Sequence, residues 1–260
     1  MRRFHLVSLF ALAGCFGNGR PTETVGPGRG KADGGSSCPI ADYDADRISA
    51  AIEGAGSCYT AAGIAESCAF GSSLDVSFVA SATAICERGF GAMTATHKRA
   101  YDTLLGKCSA KFENESGTLY RSMNAFCDLE VTHLFNNLYP EPEYGEDAVA
   151  YTEDCPVAGS DPDKIEGAIR QAASCSSAAN IAGACAWGSS IDTQFAAAAS
   201  DLCSGETGEL STADAALHDQ LIESCNALYT EGSGTLQLSV AAMCRVQVDV
   251  VFNSLAAEVE

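Results

Sequence analysis

The segment Cys-Ala-Phe-Gly-Ser-Ser-Leu-Asp at residues 68–75 decides the fold, because it occurs again as Cys-Ala-Trp-Gly-Ser-Ser-Ile-Asp at residues 185–192. The two segments are offset by 117 residues (68 to 185), and the same offset, without a gap, places six cysteines on six others. These pairs are Cys38/Cys155, Cys58/Cys175, Cys68/Cys185, Cys86/Cys203, Cys108/Cys225 and Cys127/Cys244. The chain therefore contains two copies of one domain. We place the first copy at residues 38–138, an acidic linker at 139–154 and the second copy at 155–260.

The pattern within each copy predicts an all-α fold with about five helices. Apolar residues recur at helical spacing, and helix-starting residues stand before each run. In the first copy the predicted helices begin after Asp44, at Ser57, at Ser72, near Thr94 and between Ser116 and Thr118. Ser72 with Asp75 fits the capping box, and Ser189 with Asp192 repeats it. The alternation in residues 246–250 (Val-Gln-Val-Asp-Val) would suit a strand, but the aligned segment in the first copy is less β-like, so we predict a helix there as well.

The first fifteen residues have the features of an export signal. Arg2 and Arg3 precede an apolar stretch that is too short to span a bilayer. The sequence Leu-Ala-Gly-Cys at residues 12–15 resembles the lipobox of bacterial lipoproteins. That resemblance implies a signal peptide over residues 1–14, lipid attachment at Cys15 and, from Phe16, sorting to the outer membrane. An ordinary secretory signal with an incidental Cys15 is the alternative. Residues 15–37 then form the lipid anchor and a Gly-rich flexible tether.

Six cysteines per copy in an exported protein predict three disulfides per copy. The spacings contain no Cys-x-x-Cys, which disfavours zinc and thioredoxin-type chemistry. If the third helix folds back on the second, its late Cys86 comes to lie beside Cys58 at the start of the second. If the fourth helix folds back again, its late Cys108 returns toward Cys68, which leaves Cys38 for Cys127. We therefore predict the pairs Cys58–Cys86, Cys68–Cys108 and Cys38–Cys127, with Cys175–Cys203, Cys185–Cys225 and Cys155–Cys244 in the second copy.

Composition excludes one class of function. Of 260 residues, 34 are Asp or Glu and only 15 are Lys or Arg, which gives a formal net charge of −19. Neutralising nucleic-acid phosphates requires clustered basic residues, so we expect no nucleic-acid binding. The hydrophobic share of 47% is sufficient for packed cores.

No catalytic pattern is shared by the two copies. His97 aligns with Asp214, His133 with Val250 and His218 with Tyr101, so no histidine is present in both. Nucleophile-elbow, zinc-protease and phosphate-loop motifs are missing from the sequence. We expect neither catalysis nor a cofactor. An enzyme with one active copy would need a cleft that holds His97 or His218 with a carboxylate.

Other residues permit a structural and a functional interpretation. Four acidic pairs are common to both copies: Asp44/Asp161, Asp46/Asp163, Asp75/Asp192 and Asp102/Asp219. Three of the four lie at predicted helix starts, so we interpret them as helix caps. The spacing of Asp42, Asp44, Asp46 and Glu53 also resembles a calcium loop, but Arg47 stands where the loop needs glycine and the second copy lacks the pattern. Phe70 and Trp187 occupy equivalent positions and read as core aromatics, with a ligand pocket as the alternative.

These observations predict a non-catalytic, lipid-anchored envelope protein that presents two disulfide-stabilised helical copies. We expect it to contact a membrane through the lipid and to bind an envelope protein or a small apolar ligand. A purely structural envelope component is the alternative.

Overall fold

The computed structural model describes residues 38–139, 155, 157, 161–207, 210–229 and 234–256. The predicted signal peptide, the lipid-attachment residue Cys15, the tether and the linker after Tyr139 lie outside the described residues. Within the described part of the chain all regular elements are helical. The predicted all-α, disulfide-rich fold is thereby confirmed.

Within the described residues, each copy contains five α-helices. In the first copy these are α1 (Ala45–Glu53), α2 (Cys58–Ser67), α3 (Ser73–Cys86), α4 (Ala95–Lys111) and α5 (Thr118–Leu138). In the second they are α6 (Pro162–Arg170), α7 (Cys175–Ala184), α8 (Asp192–Thr207), α9 (Thr212–Tyr229) and α10 (Thr235–Ala256). Four of the five helix pairs begin at residues that are 117 apart, so the duplication seen in the sequence is also a duplication of structure. A 3-10 segment, Glu87–Ala92, extends α3.

Side chains at the helix starts explain where the helices begin. The side chain of Asp44 accepts a hydrogen bond from the backbone N–H of Arg47, and Ser57 and Thr94 cap α2 and α4 in the same way. Each of these contacts satisfies a backbone donor that has no partner within the helix. Asp161 and Ser174 repeat the caps in the second copy. The helix starts predicted at these positions are confirmed.

The two copies share one hydrophobic core. Its buried residues come from α4 and α5 of the first copy and from α9 and α10 of the second, and we call it the central core. On either side lies a smaller core, one built from α1–α3 against α5 and the other from α6–α8 against α10. The contacts between copies are reciprocal, since α5 packs on α10, α4 contacts α10 and α9 contacts α5. This is the arrangement of an isologous dimer within one chain.

The helix α10 includes the segment whose alternation suggested a strand. It is helical over Thr235–Ala256 and buries Val246, Val248 and Val250, as predicted. By length and composition α10 is also apolar enough to cross a membrane, yet half of its apolar stretch is buried inside the protein. It packs on α5, α7, α8 and α9, so it is a core helix of the second copy.

Three disulfides brace each copy, but their pairing differs from the prediction. The predicted pairs Cys58–Cys86 and Cys175–Cys203 are present. The predicted pairs Cys68–Cys108, Cys38–Cys127, Cys185–Cys225 and Cys155–Cys244 are wrong. The structure instead joins Cys38 to Cys68, Cys108 to Cys127, Cys155 to Cys185 and Cys225 to Cys244.

Helix neighbours explain the actual pairing. The short turn between α1 and α2 makes them antiparallel neighbours, so the segment before α1 reaches the end of α2 and the Cα atoms of Cys38 and Cys68 are 4.6 Å apart. Helix α4 packs on α5 rather than returning to α2. The Cα atoms of Cys108 and Cys127 are therefore only 5.8 Å apart, within the range for a disulfide.

Candidate functional site

A cavity of about 110 Å³ lies between the two copies. Helices α2 and α5 supply one side of it, and α7 and α10 supply the other. Its wall is largely apolar, with Ala179, Val240, Met243 and Val246 among the lining residues. A predominantly apolar wall with a few placed polar groups is the usual composition of a small-molecule site.

The helices α2 and α7 meet beside this cavity through residues that differ between the copies. The hydroxyl of Tyr59 donates a hydrogen bond to the backbone oxygen of Asn180 at 3.4 Å. A methyl group at Gly183 would overlap with the Tyr59 ring, so this close approach requires glycine. The amide of Asn180 in turn donates to Glu66 at 3.2 Å. In the alignment Tyr59 corresponds to Ser176 and Glu66 to Gly183, so the copies have diverged in a complementary way where they touch.

His133 is the polar residue of the cavity that lacks a partner. Its side chain lies on α5, is only 7% exposed and makes an edge-to-face contact with Tyr59 at 5.7 Å between ring centroids. Its Nε2 atom is buried and has no hydrogen-bond partner among the described residues. Burial lowers the pKa of the His133 imidazole to about 4, so the ring is neutral at neutral pH. Since buried polar atoms are rarely left unpaired, this nitrogen needs an explanation.

Glu130 on α5 and Glu66 on α2 each accept a hydrogen bond from a residue of α7. Burial is the main cause that raises the pKa of Glu130 to about 8, and it also raises the pKa of Glu66. Glu130 accepts a hydrogen bond from Ser176 at 3.4 Å. Glu130 is therefore protonated at mildly acidic pH, and for both groups burial favours the neutral form.

The other two histidines in the described residues are held by hydrogen bonds. His97 on α4 contacts the hydroxyl of Tyr139 at 2.7 Å and that of Ser224, in the other copy, at 3.0 Å. His218 on α9 lies 2.8 Å from the carboxylate of Asp249, and this hydrogen bond is the main cause that raises its pKa.

The His218–Asp249 pair replaces a neutral pair of the first copy. The aligned residues there are Tyr101 and Thr132, whose hydroxyl groups are 3.2 Å apart. Both pairs tie the fourth helix of a copy to its fifth. Neither His97 nor His218 lines the cavity between the copies. An enzyme with one active copy would need a cleft around His97 or His218, and this cavity is not such a cleft.

The aligned acidic residues Asp75 and Asp192 are fully buried. Asp75 accepts hydrogen bonds from the backbone N–H groups of Phe70 and Ser72 and from the Ser122 hydroxyl, at 2.9, 3.0 and 2.5 Å. The capping box predicted at Ser72 and Asp75 is confirmed. In the second copy Asp192 accepts from Trp187, Ser189 and Ser239. These carboxylates thus fix the loop before the third helix to the fifth helix.

The remaining sequence candidates lie elsewhere. Of the calcium-loop pattern, Asp44 caps α1, and no three potential metal-binding side chains come together within the described part of the chain. Trp187 packs edge-on against Phe195, whereas Phe70 is 41% exposed beside Tyr43. Neither Phe70 nor Trp187 lines the cavity.

Sequence reasoning missed the residues of the cavity, although one signal was present. His133 is a polar residue that aligns with an apolar one, Val250, at a buried helix position. Comparison with known proteins does not add to this: the chain matches no protein-family model, no curated protein and no solved structure.

Proposed function

We propose that the protein is exported, is held at the outer membrane by a lipid on Cys15 and acts as a non-catalytic binding module. The observation that carries the proposal is the cavity formed where the two copies meet. Its wall combines residues of both copies, and Tyr59, His133 and Gly183 on that wall differ from their aligned counterparts.

The cysteines support the export part of the proposal. All twelve cysteines of the two copies are paired in disulfides. Such pairing persists in oxidising compartments and is rare in the cytosol. Cys15 is then the cysteine left over, which suits the lipid attachment that the lipobox resemblance implies.

The non-catalytic part is supported by the positions of the histidines. His218 and Asp249 stand where the first copy has Tyr101 and Thr132, so their pairing has a structural counterpart without acid–base chemistry. His97 is engaged by two hydroxyl groups.

A purely structural envelope component is the second candidate. The observation that favours it is the extent of bracing, with three disulfides in each copy and a core shared between copies. A structural role predicts that the cavity carries no ligand and that filling it leaves function in the envelope unchanged.

One experiment tests the anchor. We expect the N-terminal peptide of the protein isolated from membranes to begin at Cys15 and to carry the mass of an attached lipid. Cys15→Ser should abolish that mass and remove the mature protein from the outer-membrane fraction. A mature N-terminus elsewhere, without lipid, would overturn the anchor.

A second experiment tests binding. Native mass spectrometry of the protein purified from its own envelope should detect a bound small molecule. Ala186→Met, which fills the cavity wall, should remove it. Ala69→Met places the same side chain at the aligned, exposed position of the first copy and should retain it. An empty cavity in the native protein would favour the structural alternative.

A further inference from the structure

We propose that the cavity between the copies binds a small uncharged molecule with an apolar body and one hydroxyl group, and that this hydroxyl bonds to Nε2 of His133. The inference rests on the proposed binding function and specifies the class of ligand. A phenol or a short branched alcohol has this chemistry.

The first argument is the unpaired nitrogen. Nε2 of His133 is buried and has no partner within the described part of the chain, although the residue lines a cavity large enough to hold one. A neutral imidazole nitrogen is a donor or an acceptor according to its tautomer, and a hydroxyl group can pair with either. A bound hydroxyl would therefore satisfy the one polar atom that folding leaves unpaired in this wall.

The second argument is charge. None of the residues that line the cavity is Asp, Glu, Lys or Arg. A charged ligand would lose its hydration without gaining a counter-ion, which is costly in a partly buried site. The low pKa of His133, about 4, also leaves the site without a positive charge at neutral pH. The ligand is therefore uncharged.

The third argument is size and shape. The volume of about 110 Å³ is somewhat smaller than the ~150 Å³ of an apolar protein cavity that binds benzene. One ring or a branched chain of four or five carbons fills such a space. The flexible side chain of Met243 can adapt to a ring and form sulfur–aromatic contacts with it, and the small side chain of Ala179 leaves room on the same side of the cavity.

The asymmetry of the copies gives the fourth argument. Val250, the counterpart of His133, belongs to the apolar core of the second copy. The first copy therefore carries a polar group at a position where an apolar residue packs well. Valine is the residue that the second copy has at this position, so we expect His133→Val to be tolerated by the fold.

The test is a calorimetric titration of the full chain with phenol and with toluene, which has nearly the same shape but lacks the hydroxyl. We expect phenol to bind at least tenfold more tightly than toluene. His133→Val should reduce phenol affinity to that of toluene and leave toluene binding unchanged. His133→Gln, which keeps a donor and an acceptor, should recover part of the preference.

Blocking variants make the location of the site testable independently of His133. Ala186→Met should abolish binding of both probes, whereas Ala69→Met should abolish neither. The proposal is overturned if phenol does not bind, if His133→Val leaves the preference for phenol intact or if Ala186→Met still binds phenol. If phenol fails but a small molecule remains bound to the native protein, the proposed binding function stands and only this ligand class is wrong.

Discussion

At the residue scale, Asp75 and Asp192 each hydrogen-bond to the loop before the third helix of their copy and also to the fifth helix. Each carboxylate is buried at 0% exposure, and each accepts from two backbone N–H groups and a serine hydroxyl of the fifth helix. A carboxylate that accepts several hydrogen bonds gains more than a solvated helix cap does. The sequence pattern predicts the cap, but not the serine, because Ser122 and Ser239 lie 47 residues further along.

We expect Asp75→Asn to lower the free energy of unfolding by about 2–4 kcal/mol, because the amide turns an NH₂ group toward donors and leaves them unpaired. Asp192→Asn should have an effect of similar size, since its partners are equivalent. Urea unfolding at neutral pH measures both. Asp102→Asn, at an exposed ion pair with Lys98, is the control and should change stability by less than about 0.5 kcal/mol. Equal effects at Asp75 and Asp102 would contradict a stabilising role for the buried hydrogen bonds of Asp75.

Glu130 gives a prediction about pH at the same scale. Its pKa is about 8 in the fold against an ordinary value of 4.5. Between pH 4.5 and 8 the unfolded chain therefore releases a proton that the folded chain retains, so this group's contribution to stability falls as pH rises. Glu130→Gln keeps the shape, copies the aligned Gln247 and cannot ionise.

We expect Glu130→Gln to match the native protein near pH 5 and to exceed its stability at pH 8 by about 2–4 kcal/mol. Urea unfolding of both proteins at the two pH values measures the difference. The titration of groups that do not interact with Glu130 cancels in it, whereas that of Glu66, whose charge acts on Glu130, contributes. Glu113→Gln at an exposed position should show no such trend. A native protein that gained stability relative to Glu130→Gln with rising pH would refute the assigned protonation.

At the scale of helices, local sequence predicts where elements begin, but it does not predict which elements are neighbours. Helix starts follow from capping residues that act within three or four positions of themselves, and Asp44, Ser57 and Thr94 cap the helices that are predicted to begin there. The prediction of the pair Cys58–Cys86 is correct because α2 and α3 are joined by a short turn. The predicted partner of Cys108 is wrong because α4 packs on α5 and does not return to α2.

The same limit applies to the site. Tyr59 contacts Asn180 and Gly183 because the fold brings α2 and α7 together. The sequence alone does not give the distance between these two helices. What the sequence does provide is the difference between copies, His133 against Val250 and Glu66 against Gly183. A polar residue aligned with a small or apolar one in an internal duplication indicates where the two copies cease to be equivalent.

The contact between α2 and α7 yields a prediction that couples two residues. Gly183→Ala should destabilise the protein by about 1–3 kcal/mol, because the added methyl group overlaps with Tyr59. Tyr59→Ser, which copies Ser176, should remove most of that penalty in the double variant. Thermal and urea unfolding of the native protein, the two single variants and the double variant form a double-mutant cycle, which measures the coupling energy between Tyr59 and Gly183.

Gly63→Ala is the matched control for this cycle. Gly63 lies in α2, and a methyl group there meets nothing within 4 Å. Alanine should therefore stabilise the helix by about 0.5–1 kcal/mol. Gly183→Ala with the same stabilising effect would show that the two helices do not approach as closely as the structure indicates.

At the scale of the whole molecule, the disulfides link residues within one copy, whereas the hydrophobic packing also joins the two copies. All six disulfides lie within a copy, whereas the central core draws its buried residues from both. The expectation of two tandem domains therefore needs refinement. Each copy has its own braced side core, but Leu134 of the first copy and Phe252 of the second are buried in the central core that both copies build.

Cleaving the linker tests this division. A protease site placed between residues 140 and 154 would convert the chain into two fragments that no disulfide connects. We expect the fragments to elute together at the native size and to separate on a non-reducing denaturing gel. Because association is now between two molecules, the melting temperature of the cleaved protein should fall on dilution, whereas that of the uncut chain should not.

Two variants of the cleaved protein locate the association. Phe252→Ser, which buries a hydroxyl in the central core, should weaken it, whereas Phe195→Ser in the side core of the second copy should weaken it less. Two fragments that separate at once in native buffer, each with the stability of the intact chain, would mean that the central core does not join the copies.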